Sequence, residues 1–334
     1  MRRIPFGSFA LAGAAVLAVL AVYSVRAVTG DFLYIPNGAS PVAGNVEVAG
    51  HADADKKGGI YFVDVVVREE RLIERILPFV RPDGASVVPG EAITARGETF
   101  EERRAKARAE MTRSEQTAAA DAFRAAGLKV TAIPRGVLIS GVASDVPAAG
   151  VLAEGDVITG VGETVTKTPT ALRAVVGSEK PGTRILLHFR RGKTKLDKLI
   201  KTVRSADGRT VIGIQVDQDA QIKLPFAVKI DLGDVGGPSA GLPFALEILQ
   251  ELGNDIDRGY KVAATGEILL DGTVGPVGGL KQKTFGVKAS GADIFLVPAG
   301  ENATTARRYA GGMRIVPVES FQQALRVLKT LPAK

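Results

Sequence analysis

The chain has 334 residues, 46% hydrophobic but only 5% aromatic and without Trp, which leaves room for about two domains with cores of Val, Leu, Ile and Ala. It has no cysteine, which excludes disulfides, thiol catalysis and Cys-ligated zinc, and its two histidines, His51 and His188, form no metal-binding pattern. The net charge of +7 comes from basic residues interleaved with acids, without an aromatic–basic ladder, so a solvated basic surface is expected and a nucleic-acid partner is not.

The first element is an apolar run. Ile4 to Val25 is 22 residues without a charge, bounded by Arg2-Arg3 and Arg26. At about 1.5 Å per residue such a helix is about 33 Å long, enough for a hydrocarbon core of about 30 Å. A signal-peptide core is shorter, about 7–15 residues. One N-terminal transmembrane helix over 1–28 is therefore favoured, with Val25-Arg26-Ala27 keeping a cleaved signal peptide as the alternative. Basic residues ahead of the run put its start in the cytoplasm and the remainder outside, a single-pass arrangement in the cell membrane.

Residues 29–44, with Pro36, Asn37, Gly38 and Pro41, are expected to be a linker. The β-branched and aromatic content of Gly59 to Val67 predicts one strand. Glu101 to Ala126 lacks Pro and Gly and sets Met111, Ala118, Ala122 and Ala125 on one stripe, which predicts a long amphipathic helix. Beyond it come Gly127-Leu128-Lys129-Val130, Gly136 to Val142, Pro147-Ala148-Ala149-Gly150, Gly155-Asp156-Val157-Ile158, a helix near Pro169 to Val176 and a strand Thr183 to Phe189. Leu224 to Ile230 is expected to be a strand leading into a turn, Asp293 to Pro298 and Met313 to Val318 two late strands, and Phe321 to Leu328 a closing helix.

Chemistry concentrates in Gly236-Gly237-Pro238-Ser239-Ala240-Gly241 and, 44 residues past the serine, in Lys283 of Gly278-Gly279-Leu280-Lys281-Gln282-Lys283. A serine in a small-residue turn at the mouth of an apolar helix exposes its hydroxyl, and no histidine is placed to deprotonate it. The pair is read as a serine nucleophile with a lysine base. A lysine accepts a proton only when neutral, so its pKa must fall from about 10.4 to about 7–8, which burial among apolar groups achieves. The uncharged run Val274 to Leu280 supplies such a setting. Lys281 is the rival base, but two residues apart on a helix point to different faces. Backbone N–H groups of Gly236, Gly237 and Ser239 are the candidate oxyanion donors, helped by the N-terminus of the following helix. No metal and no cofactor are called for. Gly192-Lys193-Thr194 has Leu187 where a phosphate-binding loop needs its first glycine, so ATP-driven unfolding is not expected.

The serine turn, the lysine motif and Thr265-Gly266-Glu267 between them resemble the proteolytic domain of the Lon family, which carries these three motifs in this order. That resemblance implies an α+β fold of the ribosomal protein S5 domain 2-like type, makes Lys283 rather than Lys281 the base, and gives Thr265 the role of orienting it. Gly236 stands where many Lon sequences have Asp; Asp234 is therefore left out of the catalytic set, and Glu267 is given a structural role at most. The segments from Gly127 to Phe189 resemble a PDZ domain, which implies capture of a peptide C-terminus with Gly127, Leu128, Lys129 and Val130 as the carboxylate loop. Gly127 also suits the C′ position of the preceding helix, and the two roles are compatible. The proposed organisation is an inserted PDZ domain, 127–205, between two parts of one Lon-like domain, 45–126 and 206–334, with a simple tandem as the alternative. Together these resemble membrane-anchored, PDZ-containing Lon-like proteases and imply an ATP-independent serine endopeptidase acting on exported or membrane-associated protein substrates, with a homo-oligomeric ring among the expected partners. A non-catalytic scaffold whose PDZ domain binds partner C-termini, and a protein that cuts itself once, are the rival readings.

Overall fold

Residues whose side chains alternate between two apolar faces form the centre of the fold. In the computed structural model, which describes residues 23–51, 58–93, 99–205, 208–233 and 235–334, a five-stranded sheet runs in the order Ser40–Pro41, Gly59–Phe62, Lys261–Ala264, Ile294–Pro298, Arg314–Val318. The last four strands are parallel neighbours. Ile294–Pro298 is buried throughout, as a parallel strand covered on both faces must be. Val262, Ala264, Ile294 and Leu296 point into one core, and Ala263, Phe295 and Val297 into another. The helix Gly241–Glu251 packs in the first core and the helix Leu280–Ala289 in the second. The sheet thus lies between the element that follows Ser239 and the element that carries Lys283.

The long helix, Phe100–Ala125, starts with a capping box: Thr99 Oγ1 accepts from the Glu102 N–H at 3.2 Å and Glu102 Oε2 accepts from the Thr99 N–H at 2.8 Å. Its buried face, Met111, Ala118, Ala119, Ala122 and Phe123, lies in the same core as Leu242, Phe244, Leu246 and Leu249. Alanines let the two helix backbones approach closely. The core also takes in Val42, Val46, Val48 and Ile60, and Val46–Val48 pairs antiparallel with Val228–Ile230. Segments on both sides of residues 127–205 therefore share one interior.

The intervening residues have a core of their own, running from Val137 to Ile212. Its sheet has the order Thr194–Lys201, Arg184–Arg191, Val157–Val161, Thr131–Val142, Ile214–Lys223, with the helix Pro169–Ser178 against it. The outer strand Ile214–Lys223 pairs with Thr131–Val142 from Ile214↔Val142 to Lys223↔Thr131. This unit accordingly reaches past residue 205, the boundary expected from the sequence.

Three expectations are corrected. The supposed linker holds Val28–Pro36, the middle strand of a three-stranded sheet with Val65–Arg71 and Ser86–Val88; Phe32 and Leu33 are buried there, and the turn signals at Pro36–Gly38 begin only afterwards. The strand expected over Gly59–Val67 is two strands in different sheets. The chain turns at Val63-Asp64, where Val63 packs toward the Lys283 helix and Asp64 Oδ1 accepts from Asn37 Nδ2 at 2.9 Å. β-Branched composition marks extended backbone, not the sheet that it joins. Finally, Leu224–Ile230 is a strand only over Val228–Ile230, because Pro225 has no N–H to give a ladder, and the polar strand ahead of it was not foreseen.

The anchor expected over 1–28 lies outside the described residues up to position 22; Tyr23–Arg26 is helical and Val28 starts a strand. Among the described residues no helix is long and apolar enough to cross a membrane.

Candidate active site

Ser239 sits in a single 3-10 turn, Pro238–Ala240, entered through Gly237 at φ 93°, a backbone state that favours glycine. The long helix holds this turn in place. Ala107 carbonyl accepts from the Gly237 N–H at 2.7 Å, and the Ser114 hydroxyl donates to the Pro238 carbonyl at 3.0 Å. A Cβ on Gly236 would come within 2.9 Å of the Ala107 Cβ, so the small residues ahead of the serine are needed for this approach. On its other side the turn is bonded to Thr265-Gly266-Glu267: the Ser239 carbonyl accepts from the Gly266 N–H at 2.8 Å and from the Thr265 hydroxyl at 3.1 Å.

Thr265 follows the strand Lys261–Ala264 directly, at the carboxyl end of the parallel sheet, and is fully buried. Lys283 lies in the first turn of Leu280–Ala289, whose N-cap, Gly279, is left-handed at φ 68°. Its Nζ is 2.7 Å from Ser239 Oγ and 3.1 Å from Thr265 Oγ1. Because the Thr265 hydroxyl spends its proton on the Ser239 carbonyl, it presents a lone pair to the lysine, which fixes where Nζ points. Burial pulls the Lys283 pKa down from 10.5 to about 8, against the charge of Asp64, which raises it. A substantial fraction of the amine is therefore neutral near pH 8 and lies within hydrogen-bond reach of a serine hydroxyl. That arrangement is equipped for nucleophilic attack on an acyl group.

Lys281 turns away. Its Nζ donates to the Ala85 carbonyl at 3.3 Å and to Ser86 Oγ at 3.1 Å and lies over the Tyr309 ring. Lys281→Ala is expected to keep hydrolysis within about threefold of the parent, since it removes a support and no reacting group; initial rates on one peptide check this. His188 is held by Asp197 and the Gly162 carbonyl within the separate middle sheet. Among the described residues no cluster of His, Cys, Asp or Glu is arranged to hold a metal ion. Glu267 is pushed up to about 7, mainly by burial and then by the nearby Asp217 charge. Asp234 lies outside the described residues.

Two expected site assignments change. The Gly237 N–H is occupied by Ala107, so it is not a free oxyanion donor in this arrangement. Gly127-Leu128-Lys129-Val130 is a helix cap: Gly127, at φ 78°, donates to the Arg124 carbonyl at 3.0 Å, and Leu128 donates to the Phe123 carbonyl at 2.9 Å. Leu128 and Val130 pack on the core of the long helix and not on that of the middle unit. The turn Val211-Ile212-Gly213-Ile214 leads into the outer strand Ile214–Lys223 beside the helix Pro169–Ser178, with Gly213 at φ 77°. The apolar-glycine-apolar pattern ahead of a strand was the signal for it. Ser114, Ala107 and Asp64 were also missed, since each acts across a long stretch of chain.

Residues 207–330 match the Lon protease (S16) C-terminal proteolytic domain, and residues 112–202 match the PDZ domain. The second match begins inside the long helix. Lon protease 2 of Bacillus subtilis (strain 168) is 37% identical over 109 residues, 33% of this chain and 18% of that protein. Lon protease of Mesomycoplasma hyopneumoniae (strain 232) is 34% identical over 90 residues, 26% of this chain and 10% of that protein. The chain thus corresponds to less than a fifth of the length of either relative. A solved PDZ domain of the SdrC-like protein from Listeria monocytogenes is 30% identical and covers 24% of this chain and 86% of that one, with a TM-score of 0.24.

Proposed function

Taking as premise that the chain carries a serine peptidase domain of the Lon type over residues 207–330, we propose that it is an ATP-independent endopeptidase with Ser239 as nucleophile and Lys283 as base. The observation that carries this reading is a buried amine, Lys283 Nζ, 2.7 Å from Ser239 Oγ with its pKa lowered to about 8. Neutral Lys283 takes the hydroxyl proton as Oγ attacks the scissile carbonyl, and Thr265 keeps the amine aimed. The oxyanion is received by the backbone N–H groups of Gly236 and Ser239 at the head of the serine helix. The ammonium then gives its proton to the leaving amine, and water hydrolyses the acyl-serine with Lys283 again as base.

The remaining parts fit around that chemistry. The shared core of residues 42–62, 111–123 and 240–331 supports a discontinuous catalytic domain with the PDZ unit inserted. The PDZ unit captures substrate in the groove between Ile214–Lys223 and Pro169–Ser178, adding the peptide as a further strand, with Val211–Ile214 in the place of the carboxylate loop. The uncharged run Ile4 to Val25 anchors the protein in the cell membrane, with its substrates exported or membrane-associated proteins. Assembly into a homo-oligomeric ring belongs to the same reading. Incubating the purified chain with an unstructured protein, without nucleotide and with EDTA, tests it: multiple new peptide termini by mass spectrometry are expected. Capture without cleavage would establish the scaffold reading, and a single self-cut the self-processing one.

A further inference from the structure

Six of the twelve large apolar side chains that are exposed among the described residues gather at one end of the three-stranded sheet: Tyr23, Val25, Val28, Ile76, Phe79 and Val80. Phe79 is 80% exposed. The register explains the gathering. Val28 pairs with Arg71, and the Ala27 carbonyl accepts from the Leu72 N–H at 2.8 Å, so the turn Tyr23–Arg26 and the helical turns Leu72–Ile76 and Pro78–Val80 leave the sheet side by side.

This is a braced surface. Glu70, fully buried, pairs with Arg75 at 2.9 Å and with Arg81 at 3.0 Å, and Arg81 Nε also donates to the Glu74 carbonyl at 2.9 Å. Arg75 pairs as well with Asp31. These bonds fix the backbone of 70–81 while its apolar tips face outward. A rigid turn that exposes Phe, Ile and Val against the hydrophobic effect points to a partner that covers them. The chain itself indicates which. The uncharged run Ile4 to Val25 ends within this cluster, so a bilayer crossed by that run has its surface here. Tyr23 and Arg26 are residue types that sit at that depth.

We propose that Ile76, Phe79 and Val80 insert into the lipid–water interface beside the point where the uncharged run leaves the bilayer. The catalytic part then lies against the membrane in one orientation. This rests on the anchor reading of Ile4 to Val25. The same sheet supports the catalytic lysine helix, since Gln282 Nε2 donates to the Gly84 carbonyl at 3.1 Å and to Ser86 Oγ at 2.9 Å. Membrane seating and lysine placement thus share one scaffold.

The chain has no Trp, so Phe79→Trp gives a single fluorescent reporter. The full chain is reconstituted in phosphatidylcholine vesicles whose lipids carry bromine near the top of the acyl chains, and retained peptidase activity confirms that the variant is folded. At least about a twofold quenching is expected for Phe79→Trp. No quenching is expected for Leu199→Trp, a reporter that is 61% exposed in the native Leu199 and lies in the separate middle sheet. An unquenched Phe79→Trp reporter in protein that floats with the vesicles after an alkaline wash overturns the proposal and leaves the anchor standing. Protein that does not float overturns both. A blue shift without bromine quenching that grows with the protein-to-lipid ratio assigns the patch to a second copy and also overturns it.

Discussion

Ser239→Ala and Lys283→Ala should each lower peptide hydrolysis by roughly 10⁴-fold or more, with cooperative unfolding retained. The size follows from shared work. Ser239 Oγ and Lys283 Nζ are 2.7 Å apart and no other base is hydrogen-bonded to that hydroxyl among the described residues, so losing either leaves only the oxyanion donors and substrate binding. For the same reason the double variant should be no worse than the weaker single. Single-turnover rates on one fluorogenic peptide check both points, and a double variant far below either single would mean that the two residues act independently. Neither change empties a structural hydrogen bond of the turn, because the Ser239 carbonyl, not its hydroxyl, bonds Gly266 and Thr265.

The second large effect concerns pH: hydrolysis and the Lys283 contribution to stability both rise with pH. Lowering the Lys283 pKa from 10.5 to about 8 corresponds to about 3 kcal/mol against the buried ammonium. That burden is fully present below pH 8, where the folded lysine is charged, and is relieved as pH rises from 8 toward 10.5, where the folded lysine is neutral and the unfolded one still binds a proton. Lys283→Met should therefore raise stability by about 1–3 kcal/mol at pH 7, with the gain shrinking to near zero by pH 10.5. Paired urea titrations of parent and variant at each pH give the difference. Hydrolysis by the parent should climb about tenfold per pH unit below 8 and level off above it. A flat rate between pH 6 and 9 is incompatible with Lys283 as the base. Glu267 and Asp121, each pushed up to about 7 chiefly by burial, contribute with the opposite sign: their stabilisation is present below the ordinary carboxylate range and is lost as pH rises through 7. The conditions that arm the base thus loosen these carboxyl sites.

How much of this was legible in the sequence depends on the reach of each interaction. The serine turn was readable because its residue types are dictated locally, glycine before the serine for close approach, whereas the choice of Lys283 over Lys281 and the role of Thr265 came from the resemblance to the Lon proteolytic domain. The helix Phe100–Ala125 was readable from its periodicity and its lack of Pro and Gly. Contacts that close over long separations were not. Nothing near Ser114 indicates that its hydroxyl will meet the Pro238 carbonyl, 124 positions away. Nothing near Val65 tells which sheet its strand will join. Gly127 shows a different limit. The same glycine suits a helix cap and a carboxylate loop alike; the N–H bonds to Arg124 and Phe123 show the cap, and the packing of Leu128 and Val130 shows which core the segment joins.

The register Thr131↔Lys223 has a consequence for the order in which the chain folds. The long helix ends at Ala125 and the serine helix begins at Gly241, so the catalytic core must close a long loop before its two principal helices meet. Once the middle sheet has formed, residues 131 and 223 are neighbours and only about two dozen positions stay free, which cuts the entropy of closure by about 1.4 kcal/mol, a tenfold gain in the chance of encounter. A middle unit that forms first would therefore serve as a nucleus for the core that surrounds it. Its own strands span a shorter stretch of chain, 131–223 against 125–241, so it is expected to assemble before the two outer segments meet at its ends.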